Sequence, residues 1–164
     1  PVPLATLFDE CLGLVRGLAL QRGLRLLPAP DTGARAKLHG DRMRVKQVLL
    51  NLLGNAVKYN RPGGEIELSC RLQQGQWRIE VRDTGRGLDA VQCARLFQPF
   101  ERLDAANSGI EGTGIGLALS RRLVEAMGGA IGVVDFPMVY LDLGLGAGNY
   151  RDWQLVTVSQ GIES

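Results

Sequence analysis

The order of periodicities along the chain predicts an α+β fold: a two-layer α/β sandwich, one mixed sheet with helices packed on one face. Three observations carry that prediction. Apolar residues recur at helical spacing near the N-terminus, again before residue 60, and again after residue 115. Two neighbouring runs near the middle alternate apolar and polar residues, as half-buried strands do. Turn-rich segments such as Arg61-Pro62-Gly63-Gly64 separate these runs cleanly.

Taken in order, Leu4, Leu7, Phe8, Cys11, Leu12, Leu14, Val15 and Leu18 form the apolar face of a first helix that ends near Gly23. Short strands are expected at residues 24–27 and 36–39, around a turn-rich stretch at 28–33. Asp41 is the expected cap of a long helix reaching about Asn60. Ile66, Leu68, Cys70 and Leu72 share one face of a strand. Trp77, Ile79 and Val81 share one face of the next, with a turn at residues 73–75. A short helix at 89–95 leads through a loop to the helix at 115–127 and a strand at 130–134. Residues 154–159 are able to pair as a last strand.

The 164 residues suit a single domain spanning 1–164, large enough to bury a core. With 45% apolar residues and a net charge of +2, the composition is that of an ordinary globular protein. So small a charge argues against nucleic acid or an anionic membrane surface as a partner. Arg42, Arg44 and Lys46 read as a solvated helix face. Cys11, Cys70 and Cys93 form neither a metal-ligand spacing nor a disulfide framework, which fits a reducing, cytoplasmic setting. No apolar run approaches the ~20 residues of a membrane helix, so no insertion by this segment is expected. The first residue is not Met, so the chain is expected to be part of a longer protein, whose membrane anchoring stays open.

Three features carry chemistry. Along the long helix, with Asn51 at zero and ~100° per residue, Gln47 falls at about −40°, Asn55 at about +40° and Lys58 at about −20°. This narrow polar stripe is either a solvated face or a ligand-facing one. Asparagine is a mediocre helix former. Amide oxygens with a lysine are also what a magnesium-bound polyphosphate needs. Next, period-two alternation puts Asp83 in phase with Trp77, Ile79 and Val81, where an unpartnered carboxylate is costly. The following Thr84-Gly85-Arg86-Gly87 allows either a plain Asx turn or close approach by a flat ligand. Finally, Gly112-Thr113-Gly114-Ile115-Gly116-Leu117 opens a helix, where exposed amides suit an anion. It is neither a Walker loop nor a dinucleotide fingerprint.

The three motifs in this order resemble the ATP-binding catalytic domain of sensor histidine kinases, in the superfamily shared with gyrase, Hsp90 and MutL. Residues 41–59 are similar to the kinases' asparagine box, Asp83 to Gly87 to the adenine-binding glycine box, Phe97-Gln98-Pro99-Phe100-Glu101-Arg102 to the phenylalanine box, and Gly112 to Leu117 to the second glycine box. The likeness covers residues 3–134 and implies the ATP-binding (Bergerat) fold, with ATP and Mg2+ as cofactors. It implies that Asn55 coordinates the metal with Asn51 nearby, that Lys58 approaches the phosphates and that Tyr59 stacks near adenine. By the same resemblance Asp83 would accept from the adenine amine, with Gly85 and Gly87 admitting the base. Gly112, Thr113, Gly114, Ile115, Gly116 and Leu117 would present the phosphate-binding turn, and residues 104–111 a lid.

ATPases of the superfamily carry a glutamate base one helical turn before the metal asparagine. Here Asn51 stands there, and it cannot take a proton. The resemblance therefore implies phosphoryl transfer to a histidine on a separate helical hairpin rather than hydrolysis. The implied partners are that dimerising phosphoacceptor domain, a response regulator, and a second copy of the parent as a homodimer. The alternatives are a nucleotide-binding signalling module without productive kinase activity, or an ATPase of the same superfamily. His39, the single histidine, lacks the acidic and arginine neighbours of a phosphoacceptor. Residues 135–164 depart from the family pattern: Gly144-Leu145-Gly146-Ala147-Gly148 either imitates its third glycine box at a late spacing or belongs to a divergent tail.

Overall fold

The computed structural model describes residues 2–27, 36–38, 40–73, 76–85, 116–135, 138–139 and 153–159. Strand β1 (Val2–Pro3) leads into helix α1 (Leu4–Gln21), which buries Leu4, Leu7, Phe8, Cys11, Leu12, Val15 and Ala19. The chain leaves α1 through Gly23 at φ 66°, a left-handed residue just past the cap that only glycine adopts cheaply. β2 (Arg25–Leu27) and β3 (Lys37–Leu38) follow, and β3 pairs back on β1. Helix α2 (Arg42–Lys58) starts where expected, the Asp41 carboxylate accepting from Met43 N at 3.0 Å and Arg44 N at 3.3 Å. These are donors the first turn leaves unpaired. β4 (Glu65–Gln73) and β5 (Gln76–Asp83) form an antiparallel hairpin. Then come α3 (Gly116–Ala126), β6 (Ala130–Asp135), β7 (Met138–Val139) and β8 (Trp153–Ser159).

Six strands make one mixed sheet in the order β2-β4-β5-β8-β6-β7. The last strand in sequence is interior, parallel to β5 on one side and to β6 on the other. The departing tail thus contributes a central strand, as its alternation allowed. The three helices lie on one face. Val45, Val48, Leu49, Leu52 and Leu53 from α2 meet Ile66, Leu68, Cys70, Ile79 and Val81 from the hairpin in a continuous buried core.

Two expectations are corrected. Leu14 and Leu18, assigned to the buried face of α1, are 59% and 54% exposed. At about −80° and −40° from Leu4 they bracket the direction of Leu7, which is fully buried, but they lie two to three turns further along α1, where no element covers that side among the described residues. The long helix also ends at Lys58 rather than Asn60, with Tyr59 as its cap. The face of β5 opposite the core carries buried charge: Arg78 is 1% exposed and its Nε lies 3.3 Å from Glu80 Oε1, with Arg82 Nη2 at 3.8 Å from Glu80 Oε2. Charges removed from water must be offset by such mutual pairing.

The expected turn at 28–33, the helix at 89–95, the phenylalanine box, the lid at 104–111, His39 and Cys93 lie outside the described residues.

Candidate functional site

The polar stripe of α2 separates the buried ridge of the helix from two neighbouring segments, one at each end. Asn51 and Asn55 are half-buried, Gln47 and Lys58 exposed. From Asn51 to Tyr59 the stripe runs ~12 Å at 1.5 Å per residue.

At the far end, the strand carrying Asp83 meets the helix cap. Asp83 Oδ1 accepts from Gly85 N at 2.8 Å, the Asx turn foreseen as one reading of this motif. Gly85 is buried, and a Cβ there would stand 2.6 Å from the Tyr59 carbonyl oxygen. Only a glycine lets this loop lie against the end of α2. Behind it, Thr84 Oγ accepts from Glu65 N at 2.9 Å and donates to Asn60 Oδ1 at 3.0 Å, while Asn60 Nδ2 donates to Glu65 O at 3.0 Å. The Lys58 carbonyl accepts from Arg22 Nη1 at 3.2 Å, tying α1 to the same end.

At the near end, Asn51 reaches the first turn of α3. Its Nδ2 donates to Gly116 O at 2.7 Å and to Ser120 Oγ at 3.1 Å, and Ser120 Oγ donates to Gly116 O at 2.8 Å. A groove of about 730 Å³ opens here, with Gln47, Leu50, Asn51, Gly116 and Leu119 among its lining residues. It continues the stripe away from Asp83. On its outer side Glu10 binds Arg42 Nη2 at 2.6 Å and Lys46 Nζ at 3.3 Å, the Arg42 hydrogen bond first among the causes that hold its carboxyl below the usual range.

The structure therefore brings Asn51 to Gly116, and the Tyr59 carbonyl to Gly85, whose amide Asp83 holds. Asn55 stands between the two ends, and Leu117 packs on the core. Gly87, Gly112, Thr113, Gly114 and Ile115 lie outside the described residues. Sequence reasoning did not find Ser120 or Asn60. A serine four residues after Gly116 was the available signal, since serine within a helix often bonds back one turn.

A family model described as "Histidine kinase-, DNA gyrase B-, and HSP90-like ATPase" matches residues 40–149, more than half of the chain. The chain belongs to this family. It is 38% identical over 133 residues to the sensor protein TorS of Escherichia coli (strain K12), covering 81% of this chain and 14% of that protein, and 35% identical over 136 residues to the signal transduction histidine-protein kinase BarA of the same organism, covering 80% and 15%. It thus spans a small part of the length of such relatives. Its fold matches the catalytic domain of histidine kinase ThkA at 25% identity and TM-score 0.65, covering 76% of this chain and 80% of that one. It also matches full-length ShkA, solved in complex with AMPPNP, at 33% identity and TM-score 0.69, over 80% of this chain and 27% of that one. The expected fold, a mixed sheet with helices on one face, is that of a histidine kinase catalytic domain.

Among the described residues no helix is long and apolar enough to cross a membrane, and no three His, Cys, Asp or Glu side chains group to hold a metal. A metal on this groove would rest on neutral amide oxygen and on phosphate. That donor set suits Mg2+, which keeps few protein ligands.

Proposed function

We propose that this domain binds ATP with Mg2+ along the stripe of α2 and passes the γ-phosphate to a histidine on a separate helical hairpin of its parent protein. The observation that carries the reading is the placement of two glycine-bearing turns at opposite ends of one amide-lined helix face. The adenine lies at Asp83 and Gly85 beside Tyr59, and the triphosphate extends toward Asn51 and Gly116. A carboxylate has about four acceptor sites, so the bond from Gly85 N does not prevent Asp83 from accepting an adenine amine. Asn55 offers the metal an oxygen with Asn51 nearby, and Lys58 offers the phosphates a cation. Mg2+ would supply charge neutralisation between the phosphate oxygens.

The residues on α2 act by positioning and electrostatics, as phosphoryl transfer requires. None of Asn51, Asn55 and Lys58 is a carboxylate that could deprotonate water, and Asn51 spends its amide hydrogens on α3. This favours transfer over hydrolysis. The parent's homodimerisation, its response regulator and a cytoplasmic placement of this domain complete the proposal.

The test is to mix the chain with a cognate histidine hairpin and labelled ATP. Acid-labile, base-stable phosphoprotein is expected. Steady release of inorganic phosphate by the chain alone, with no label on the hairpin, would instead identify a hydrolase. Nucleotide binding without either product would leave the module reading.

A further inference from the structure

Ser120 sits in the middle of α3, 0% exposed, on a helix whose neighbouring Arg121 and Arg122 face solvent. A serine hydroxyl is rarely buried without a partner, and this one has two. It donates to Gly116 O and accepts from Asn51 Nδ2, while Asn51 Nδ2 also donates to Gly116 O. The triangle is closed, and it consumes both amide hydrogens of Asn51. Turning the amide over would set its oxygen against the Gly116 carbonyl and against a hydroxyl whose hydrogen is already committed. One orientation remains. The amide also lies flat on Gly116, where a Cβ would stand 2.8 Å from Asn51 Oδ1 and 3.1 Å from Nδ2.

We infer that Ser120 is a positioning residue for the phosphate end of the groove: through Asn51 it fixes the first turn of α3 against α2 and the direction of the Asn51 carbonyl oxygen. This rests on the nucleotide reading given above. Because the triangle lies at the end of the stripe away from Asp83, its loss falls on the terminal phosphate and spares the base. Ser120→Ala removes one partner from Asn51 without altering the groove's surface.

The affinities of the 164-residue chain for Mg-AMPPNP and Mg-ADP, measured by calorimetry beside the thermal midpoint of the unliganded protein, test the inference. Ser120→Ala is expected to weaken AMPPNP about five- to tenfold while ADP changes by less than about twofold, the scale of one lost hydrogen bond. Ser120→Thr, which keeps the hydroxyl, should restore most of the difference. Gly116→Ala, which pushes the Asn51 amide aside, should reproduce the AMPPNP-selective loss and decides the matter if the Ser120 variants fold poorly. Equal weakening of both nucleotides, or no weakening of either, would overturn the positioning role. Asp83→Asn is the control on the underlying reading. It should abolish binding of both nucleotides, and if it leaves them intact the nucleotide assignment itself fails, whatever Ser120 does.

Discussion

The two ends of α2 hold their neighbours in different ways. At Tyr59, the approach of Gly85 is backbone against backbone, and the Asn60, Thr84 and Glu65 network behind it shares the contact among several bonds. At Asn51, one side-chain amide and one buried hydroxyl make the polar contact with α3, beside the apolar packing of Leu117 and Val124 on the core. A junction made of main chain is rigid and is specified by glycine. A junction made of side chains hangs on one amide orientation, so a single substitution at Asn51 or Ser120 is enough to undo it.

Asp83→Asn gives the sharpest break in this contrast. The replacement oxygen still accepts from Gly85 N, so the thermal midpoint should barely move, while adenine-nucleotide affinity should fall about a hundredfold or more. Calorimetry with ADP reads both halves of the expectation. Gly85→Ala attacks the rigid junction directly. With its Cβ 2.6 Å from the Tyr59 carbonyl, the loop must move, and a loss of about 2 kcal/mol of stability is expected in denaturant titration.

Alkaline pH separates local from global change. Burial raises the thiol of Cys70 from 9.0 to about 12 and that of Cys11 from 9.0 to about 11. The folded state then keeps its protons while the unfolded state loses them above pH 9, so stability falls as pH rises through that window. For Cys70 the loss is about 1 kcal/mol or less near pH 9.5. Cys70 pairs with Ile79 in the middle of the hairpin, so its alkylation should follow global unfolding and ignore events at either end of α2. A stability loss that tracked nucleotide release instead would contradict that separation. The smallest effect belongs to Arg121→Ala. The Arg121–Glu125 pair at 2.8 Å is half exposed on the same helix as Ser120, and its removal should cost about 0.5 kcal/mol or less without touching AMPPNP affinity.

Much of this was legible in the residues. The period of α2 gave its buried ridge and its polar stripe together, and Asp41 marked its start because few other side chains satisfy the first amides. Alternation placed Ile79 and Val81 on the core and Asp83 in phase with them. Pairings between distant segments were not legible. Nothing in Val2-Pro3 announces a partner at Lys37-Leu38, and the alternation of residues 154–159 says strand without saying between which neighbours. Leu14 and Leu18 carried the right period but lack a covering element, because periodicity records a face and not what meets it. Ser120 stayed hidden for the opposite reason: a lone serine in a polar helical turn reads as solvated until another helix is laid across it.

The interior position of β8 bears on how the polypeptide is made. A strand later in the chain than both its neighbours fills the slot between them, so on the ribosome β5 and β6 each wait with an open, unpaired margin. Such margins invite pairing with other chains. Parallel closure over long sequence separations is also slow. Nascent copies of this domain should therefore lean on chaperones until β8 emerges, and yields should respond more to changes in residues 153–159 than to changes in any exposed loop.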